Sequence, residues 1–508
     1  MDENRLRYRR QFLLSRDIIK PLSHWNCLRL VNGLYLYSHP DLSITYKENY
    51  DIRITLLGYV FDPVDQSKNN EEILDDLIEI SETFDSFIEA IKRYAGQFVF
   101  IYMNNRVSKV INDALSLREV YYSVASNKII CGSQPNLIKE YSDPPINITA
   151  DQSIHRFYEY EIKKARSGRF WVGDETYYKG IKHLLPNHYL EITELRTKRY
   201  WPRQKLTTIE LDEAVSRSCS FLQGILKAAA NRYELMMAVT GGTDSRTLLA
   251  ASKEVKDKIY YFINKHKTLE ERHPDIYIPA AIFKNINIPF HIHNVEGDVD
   301  ERFREIFLNN TFMSTDMLLP AIYNVYYKQH SHRLNIVGVG EIGRTRLGYE
   351  PRSLNSYYLS RSLKFKYSPY AVAQCQKWLD STLPVAQKFG VNIMTLLYWE
   401  HWLGNWGAIG NSESDIAIEE FDPYNSHYLY ETLLGVDVKY AKYGQNILFR
   451  KMIKKMWPEL LEFPINPPHK RSDYINFALK KMGLYKGLKS LAYKVDWIKY
   501  RYKRIRHS

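Results

Sequence analysis

The stretch that most constrains this chain is Glu234 to Ser245, ELMMAVTGGTDS. Its apolar run, Leu235 to Val239, reads as a short strand buried on both faces. Gly241 and Gly242 follow, and Asp244 and Ser245 then lead into Leu248-Leu249-Ala250-Ala251, which suits a helix. Strand, glycine turn and helix start together make an anion cradle. Glycine lets the backbone come close to a phosphate, and the free N–H groups at the positive end of the helix point at it. The hydroxyls of Thr240, Thr243 and Ser245 add donors, and Asp244 can hold Mg²⁺ through its oxygens. ATP is the expected ligand, with Mg²⁺ as its companion. The plainer alternative is a Gly-Gly turn joining any strand to any helix. The lysine of a GxxxxGK[ST] loop is missing, and so is GxGxxG spacing.

At 508 residues the chain is too long for one core, so two or three domains are expected. The 40 tyrosines are spread along it and point to no function. No apolar run approaches the roughly 18 residues of a membrane span, and MDENRLRYRR has no signal-peptide core, so a cytoplasmic protein is expected. Cys27, Cys131, Cys219 and Cys375 lack CxxC spacing and indicate neither a zinc site nor a disulfide framework. The net charge of +12 is concentrated. Residues 470–508 hold twelve Lys/Arg and two Asp, which is +10 in 39 residues, so basicity belongs to a tail rather than to the body.

Residues 1–142 alternate apolar runs with turns. Ile52 to Phe61, Gln97 to Met103 and Lys128 to Cys131 read as strands, and Glu72 to Ile91 as one or two helices. Asp143 to Thr149, DPPINIT, reads as an extended boundary. Residues 143–208 then form a connector, 209–470 a nucleotide-binding domain and 471–508 the basic tail. In the third segment a helix spans Asp212 to Ala230. The strands Lys258 to Ile263 and Pro289 to Val295 flank a helix from Asp275 to Lys284. Strand–helix–strand alternation implies a doubly wound parallel sheet. The fold class is therefore α/β, an N-terminal α+β sandwich followed by that sheet.

Three stretches, whose order along the chain is that of the family's domains, resemble the asparagine synthetase family. TGGTDS resembles the SGGxDS pyrophosphate loop of those enzymes and of the PP-loop ATP pyrophosphatases, with Thr240 for the first serine. Ala95 to Ser123, AGQFVFIYMNNRVSKVINDALSLREVYYS, is similar to the second half of a class II glutamine amidotransferase domain. GIKHLLPNHYLEI with Arg199-Tyr200-Trp201 resembles the connector, Asn187 replacing a glycine; Asn also tolerates left-handed turns. The resemblance covers roughly residues 50–470. It implies adenine held near Val239 and Ile263, and glutaminase chemistry that starts from an N-terminal cysteine. Position 2 is instead Asp2, the oxyanion asparagine is replaced by Leu57 and the glutamine-binding aspartate by Ala95. Exposing Cys27 by processing restores a nucleophile but not the other two groups, so the first domain is expected to be a glutaminase without activity.

Leu334 to Tyr349, LNIVGVGEIGRTRLGY, is a short strand followed by a glycine-rich turn. It lies where the family carries SGEGADE. Gly338 and Gly340 keep the spacing, but the Asp-Glu pair is absent. Glu341 is then the candidate Mg²⁺ ligand or base, and Arg344 the candidate clamp on a phosphate or substrate carboxylate. The alternative is a surface turn with a salt bridge. Ser353 to Asn425 reads as helical and aromatic and holds Glu400 and His401, the lone histidine reading as a core residue rather than a catalyst. Phe421 to Asn425 resembles a family turn near the substrate pocket. Lys470, in FPINPPHKR, lies where the family and its β-lactam synthetase relatives carry a basic residue at the active site, and it is a candidate for stabilising the adenylate or the attacking amine's transition state, the alternative being a solvated surface lysine.

These features together predict an ATP-dependent amide ligase with catalytic residues Glu341, Arg344 and Lys470. Its substrate is a small-molecule or glycan-linked carboxylate, and its nitrogen comes from ammonia or an amine. A peptide or lactam cyclase and a silent nucleotide-binding protein are the alternatives. In the tail, Leu484, Leu488, Leu491, Val495 and Ile498 recur at helical spacing among Lys and Arg. Such a helix lies on an anionic membrane surface, binds an anionic partner or packs on the body. No RNA- or DNA-reading motif accompanies it, so nucleic acid is not an expected partner.

Overall fold

A computed structural model describes residues 2–19, 24–125, 128–142, 152–163, 170–266, 269–348, 354–442, 444–482 and 484–507. The boundary at Asp143 to Thr149 lies outside these residues.

Two six-stranded antiparallel sheets form the first half. Strand Ala95–Asn104 shows why they stack. Its alternate residues Phe98, Phe100 and Tyr102 pack against the helices Asn70–Ile80 and Phe84–Ile91. Val99, Ile101 and Met103 face the other sheet, meeting Phe12, Leu14 and Leu36. On the far side of that sheet, Leu13, Tyr37 and Tyr121 cover Leu137 and Ile138 of the helix Pro135–Tyr141. Period-two alternation in doubly covered strands thus gives four layers, helix–sheet–sheet–helix. The expected single or double helix at 72–91 is two, each started by a capping box, on Asn69 and on Thr83.

The stretch read as a connector contributes to this half. Ile181–His183 pairs with Tyr121–Ala125, while His188–Glu191 pairs with Ser108–Asn112 and with Arg196–Arg199. The first antiparallel sheet therefore takes its last strand from Ile181–His183, and the second extends through Arg199. Asn187 takes φ +67°, the left-handed turn expected of it.

The second half is built on a five-stranded parallel sheet of Leu235–Ala238, Ile259–Lys265, His291–Asn294, Leu334–Ile336 and Glu419–Phe421. Numbered by chain order, the strands lie third-second-first-fourth-fifth. The sheet is covered on both faces, which explains its apolar first strand. Leu235 and Met237 pack with Leu222, Ile225 and Leu249 on one face, while Met236 packs with Phe303, Phe307 and Ile322 on the other. The expected α/β class, an antiparallel sandwich followed by a doubly wound parallel sheet, holds. One strand breaks the helical reading of 353–425. Glu419–Phe421 forms the sheet edge, and its buried Glu420 is satisfied by Asn335 at 3.1 Å and Ser414 at 3.0 Å.

Candidate active site

Chain order reverses between the first and fourth parallel strands, and a crevice opens outside the carboxyl ends of strands at such a switch point. Both glycine turns singled out in the sequence lie there, one after Ala238 and one after Ile336.

The first turn is tied by its own hydroxyls. Thr240 Oγ1 and Ser245 Oγ are 3.0 Å apart, the Thr240 N–H donates to Ser245 Oγ at 3.2 Å, and the Gly242 N–H donates to Thr240 Oγ1 at 3.2 Å. Gly241 N–H donates to Asp275 Oδ1 at 2.9 Å. Val239 is buried and its N–H continues the ladder to Phe262 O; Ile263 is buried on the neighbouring strand. Gly242 caps the helix Thr243–Ala251 with extended backbone (φ −79°, ψ 171°) and no side chain, so no cap covers the first-turn N–H groups. Thr243 is placed differently from its neighbours. Its hydroxyl is buried under the loop, accepting from Asn446 Nδ2 at 3.1 Å and Asn466 Nδ2 at 3.2 Å.

Asp244 is the link between the two turns. Its Oδ2 accepts from Arg344 Nη2, and Arg344 also lies 3.5 Å from Glu341, whose Oε2 accepts from Tyr398 Oη. Arg346 Nε is a further 3.5 Å contact to Glu341. Arg344, read as a clamp on a ligand, is thus 4% exposed and turned onto Asp244. Burial pushes the Asp244 carboxyl up to about 6 against the pull of Arg344, and the Glu341 charge adds to the rise. Asp244 Oδ1 is buried with no hydrogen-bond partner. It faces Gly340, where a Cβ would stand 2.9 Å from that oxygen and 2.8 Å from the Tyr424 ring. At Gly338 a Cβ would meet Leu248 at 2.7 Å. The second turn keeps its glycines because it presses on the first loop and its helix.

FDPYN, Phe421 to Asn425, holds these parts in register. Asp422 Oδ2 accepts the Val339 N–H at 3.1 Å and Oδ1 the Tyr424 N–H at 3.0 Å; burial lifts this carboxyl to about 8. Tyr424 Oη donates to Asp244 O at 3.2 Å. Asn425 reaches the antiparallel half, donating to Gly96 O at 2.7 Å and Asp113 Oδ1 at 2.9 Å. Asp422 and Tyr424 belong to the turn that the resemblance sets near the substrate pocket, whereas Tyr398, Asn446, Asn466 and Asp275 carry no site reading in the sequence. Asn446 precedes an amphipathic helix and could have been read as its cap, but the partner of each group is far along the chain.

Lys470 is not drawn into this cluster. It is exposed at the start of the helix Arg471–Lys481, its N–H donating to Asp473 Oδ2 at 3.0 Å. Asn466, four residues earlier, does reach the loop, and its N–H donates to Gly241 O at 2.9 Å. The buried Arg246 guanidinium holds that segment through Leu460 O at 2.7 Å and Pro464 O at 3.3 Å. His401 is a core residue as expected. Its Nδ1 accepts the Gly173 N–H at 3.0 Å, and burial lowers it to about 4.

Leu57 and Ala95 are fully buried in apolar clusters. Gly58 (φ +98°) is crowded by Gln97 O and by the buried Arg118, which donates to Gln97 O and Arg10 O at 3.3 Å and pairs with Glu419 at 3.2 Å. Cys27 is exposed on the edge strand Asn26–Arg29.

No family model and no curated protein matches the sequence. Among solved structures, the chain is similar to the glutamine phosphoribosylpyrophosphate amidotransferase from B. subtilis complexed with ADP and GMP, at 10% identity, 59% of this chain and TM-score 0.23. It is also similar to a structure described as the allosteric regulatory enzyme of purine biosynthesis, at 9% identity, 60% of this chain and TM-score 0.23. The chain spans 65% of the length of each.

Proposed function

We propose that this chain is an ATP-dependent, AMP-forming amide ligase of the asparagine synthetase type with an inactive glutaminase half. The observation that carries the reading is the TGGTDS loop at the switch point of a parallel sheet, with an uncapped helix start and a second glycine turn against it. In this reading the N–H groups of Thr243, Asp244 and Ser245 receive the pyrophosphate portion of ATP, while the backbone near Val239 and Ile263 holds adenine. Thr240 and Ser245 contribute hydroxyls and Gly241 and Gly242 the space. Gly338 and Gly340 keep the opposite wall close.

The donor set suits Mg²⁺. Asp244 and Glu341 share Arg344, and Asp244 Oδ1 is buried without a partner. Among the described residues no group of three His, Cys, Asp or Glu forms a cage. Mg²⁺ is usually held by one or two carboxylates together with substrate phosphates, which matches two acids beside an open helix end. When bound, the ion neutralises charge on the departing pyrophosphate. Arg344, released from Asp244, would then face the phosphates or the substrate carboxylate.

A substrate carboxylate oxygen attacks the α-phosphorus, forming the acyl–phosphate bond as the bond to the β-phosphate oxygen breaks. The nitrogen of ammonia or an amine next attacks the acyl carbon, AMP leaves and the nitrogen loses a proton. Lys470 is assigned to the adenylate in this scheme, which requires its side chain to move in from the exposed position beside its helix. The acyl group is a small-molecule or glycan-linked carboxylate. The test is pyrophosphate release with a panel of carboxylates, one oxygen of which is ¹⁸O-labelled. Equal release of AMP and pyrophosphate with label in AMP supports the ligase. Release of ADP and phosphate, or no turnover with any acid, contradicts it.

A further inference from the structure

The basic tail contains two helices, Arg471–Lys481 and Tyr485–His507. The second is fastened to the body along one face. Asp496 Oδ2 pairs with Arg361 Nε at 2.9 Å, and its Oδ1 accepts from Tyr367 Oη at 2.9 Å. Tyr493, Trp497 and Tyr500 surround the buried Tyr357, with ring centroids at 5.7, 4.7 and 4.9 Å.

The leucine stripe points the other way. Leu488, Leu491, Val495 and Ile498 are 47, 59, 41 and 65% exposed, and Leu484, just before the helix, is 54% exposed. At 3.6 residues per turn the four helical positions fall in an arc of about 80°, opposite the arc of Tyr493, Asp496, Trp497 and Tyr500. Lys494 and Arg501 lie exposed along one side of the stripe and Lys499 along the other. The helix is anchored by its aromatic face, and the aliphatic face that periodicity alone would bury is left in water.

We propose that this helix docks the protein on a membrane surface rich in anionic lipid. An aliphatic stripe edged by cations matches the boundary between acyl chains and acidic headgroups. A nucleic acid would satisfy the cations and leave the stripe wet, and a second copy would bring two tails of +10 together. Among the described residues no helix is long and apolar enough to cross a membrane, so the mode is peripheral. Anchoring through Asp496 and Tyr357 fixes the orientation of the body above the lipid.

The experiment is co-sedimentation of the full chain with phosphatidylcholine vesicles, with and without phosphatidylglycerol. Binding is expected only with phosphatidylglycerol, weakening as salt rises. Leu488→Gln/Leu491→Gln is expected to lower partitioning by about tenfold or more with the thermal midpoint unchanged, since both side chains are exposed. Lys494→Ala/Lys499→Ala/Arg501→Ala is expected to flatten the salt dependence. No binding to either vesicle, equal binding to both, or full binding by the leucine variant overturns the proposal. Self-association through the tail, abolished by the leucine variant in the absence of lipid, overturns it in favour of a second copy.

Discussion

Glu400 is the place where a single change should be felt across the whole molecule. Its carboxylate is fully buried and accepts from Arg199 on both oxygens, from Asn187 Nδ2 at 3.0 Å and from Trp378 Nε1 at 2.8 Å. Asn187 precedes the antiparallel strand His188–Glu191 and Arg199 pairs opposite His188, while Trp378 lies on the helix Pro369–Phe389 of the second half. Burial alone would raise the carboxyl. The charge and hydrogen bonds of Arg199, with the Trp378 N–H, instead hold it at about 2 against an ordinary 4.5. At 1.36 kcal/mol per pH unit that drop is worth about 3 kcal/mol, within the range of about 3–5 kcal/mol for breaking a buried pair. Glu400→Gln should therefore destabilise the protein by about 3 kcal/mol, because Arg199 loses its carboxylate and is left with neutral acceptors, the one amide oxygen, Thr382 Oγ1 at 3.0 Å and Trp201 O at 3.3 Å. Arg199→Met/Glu400→Leu, which removes both charges, should cost less than the single change. Urea unfolding followed by tryptophan fluorescence measures both, through the midpoint shift and the slope. A cost below about 1 kcal/mol for Glu400→Gln, or strictly additive single changes, would refute the buried-pair reasoning.

Other expectations are more local. Glu119 and Glu420 at about 7 and Asp422 at about 8, all raised by burial, hold protons that the unfolded chain loses in the ordinary carboxyl range, so each lowers stability as pH rises through to its folded value. His183, His188 and His401, lowered by burial to about 4, act the other way below about pH 6.5 and offset the carboxyls there. The thermal midpoint should therefore fall between about pH 6.5 and 8, and a midpoint that rises across that range would contradict this. Gly340→Ala should cost about 1–3 kcal/mol and weaken ATP binding, because its Cβ would press on Tyr424 and Asp244; unchanged binding would remove the second turn from the site. The purified protein should release no glutamate from glutamine above the buffer rate, and release at an enzymatic rate would show that Leu57 and Ala95 are not the disabling losses.

Much of the fold is legible in the sequence where one interaction dominates. Ile52–Phe61 is apolar but for Arg53 and Thr55, and the first parallel strand is a continuous apolar run, so both announce themselves. The capped helices at 70–91 carry local signals as well. Arg196–Arg199 does not, because RTKR has no apolar alternation and exists as a strand only through its partner His188–Glu191. Glu419–Phe421 is three residues long and opens with two acids, one of them buried because Asn335 and Ser414 are there to receive it. The site divides in the same way. TGGTDS states its geometry locally, whereas the Asp244–Arg344 pair joins positions 100 apart and has no local signature. In the tail, periodicity reveals a stripe but not which face wins the contact. Tyr493, Trp497 and Tyr500 win because Tyr357 offers them a stacking partner and Arg361 offers Asp496 a charge.

The central claim is that the loop Thr240 to Ser245 receives the phosphates of ATP. Titration calorimetry of ATP with Mg²⁺ into the intact protein and into Asp244→Ala tests it most directly. One saturable site in the wild type, weakened by about tenfold or more in the variant, is the predicted result. No binding to the folded wild type, or equal affinity in both proteins, would contradict it.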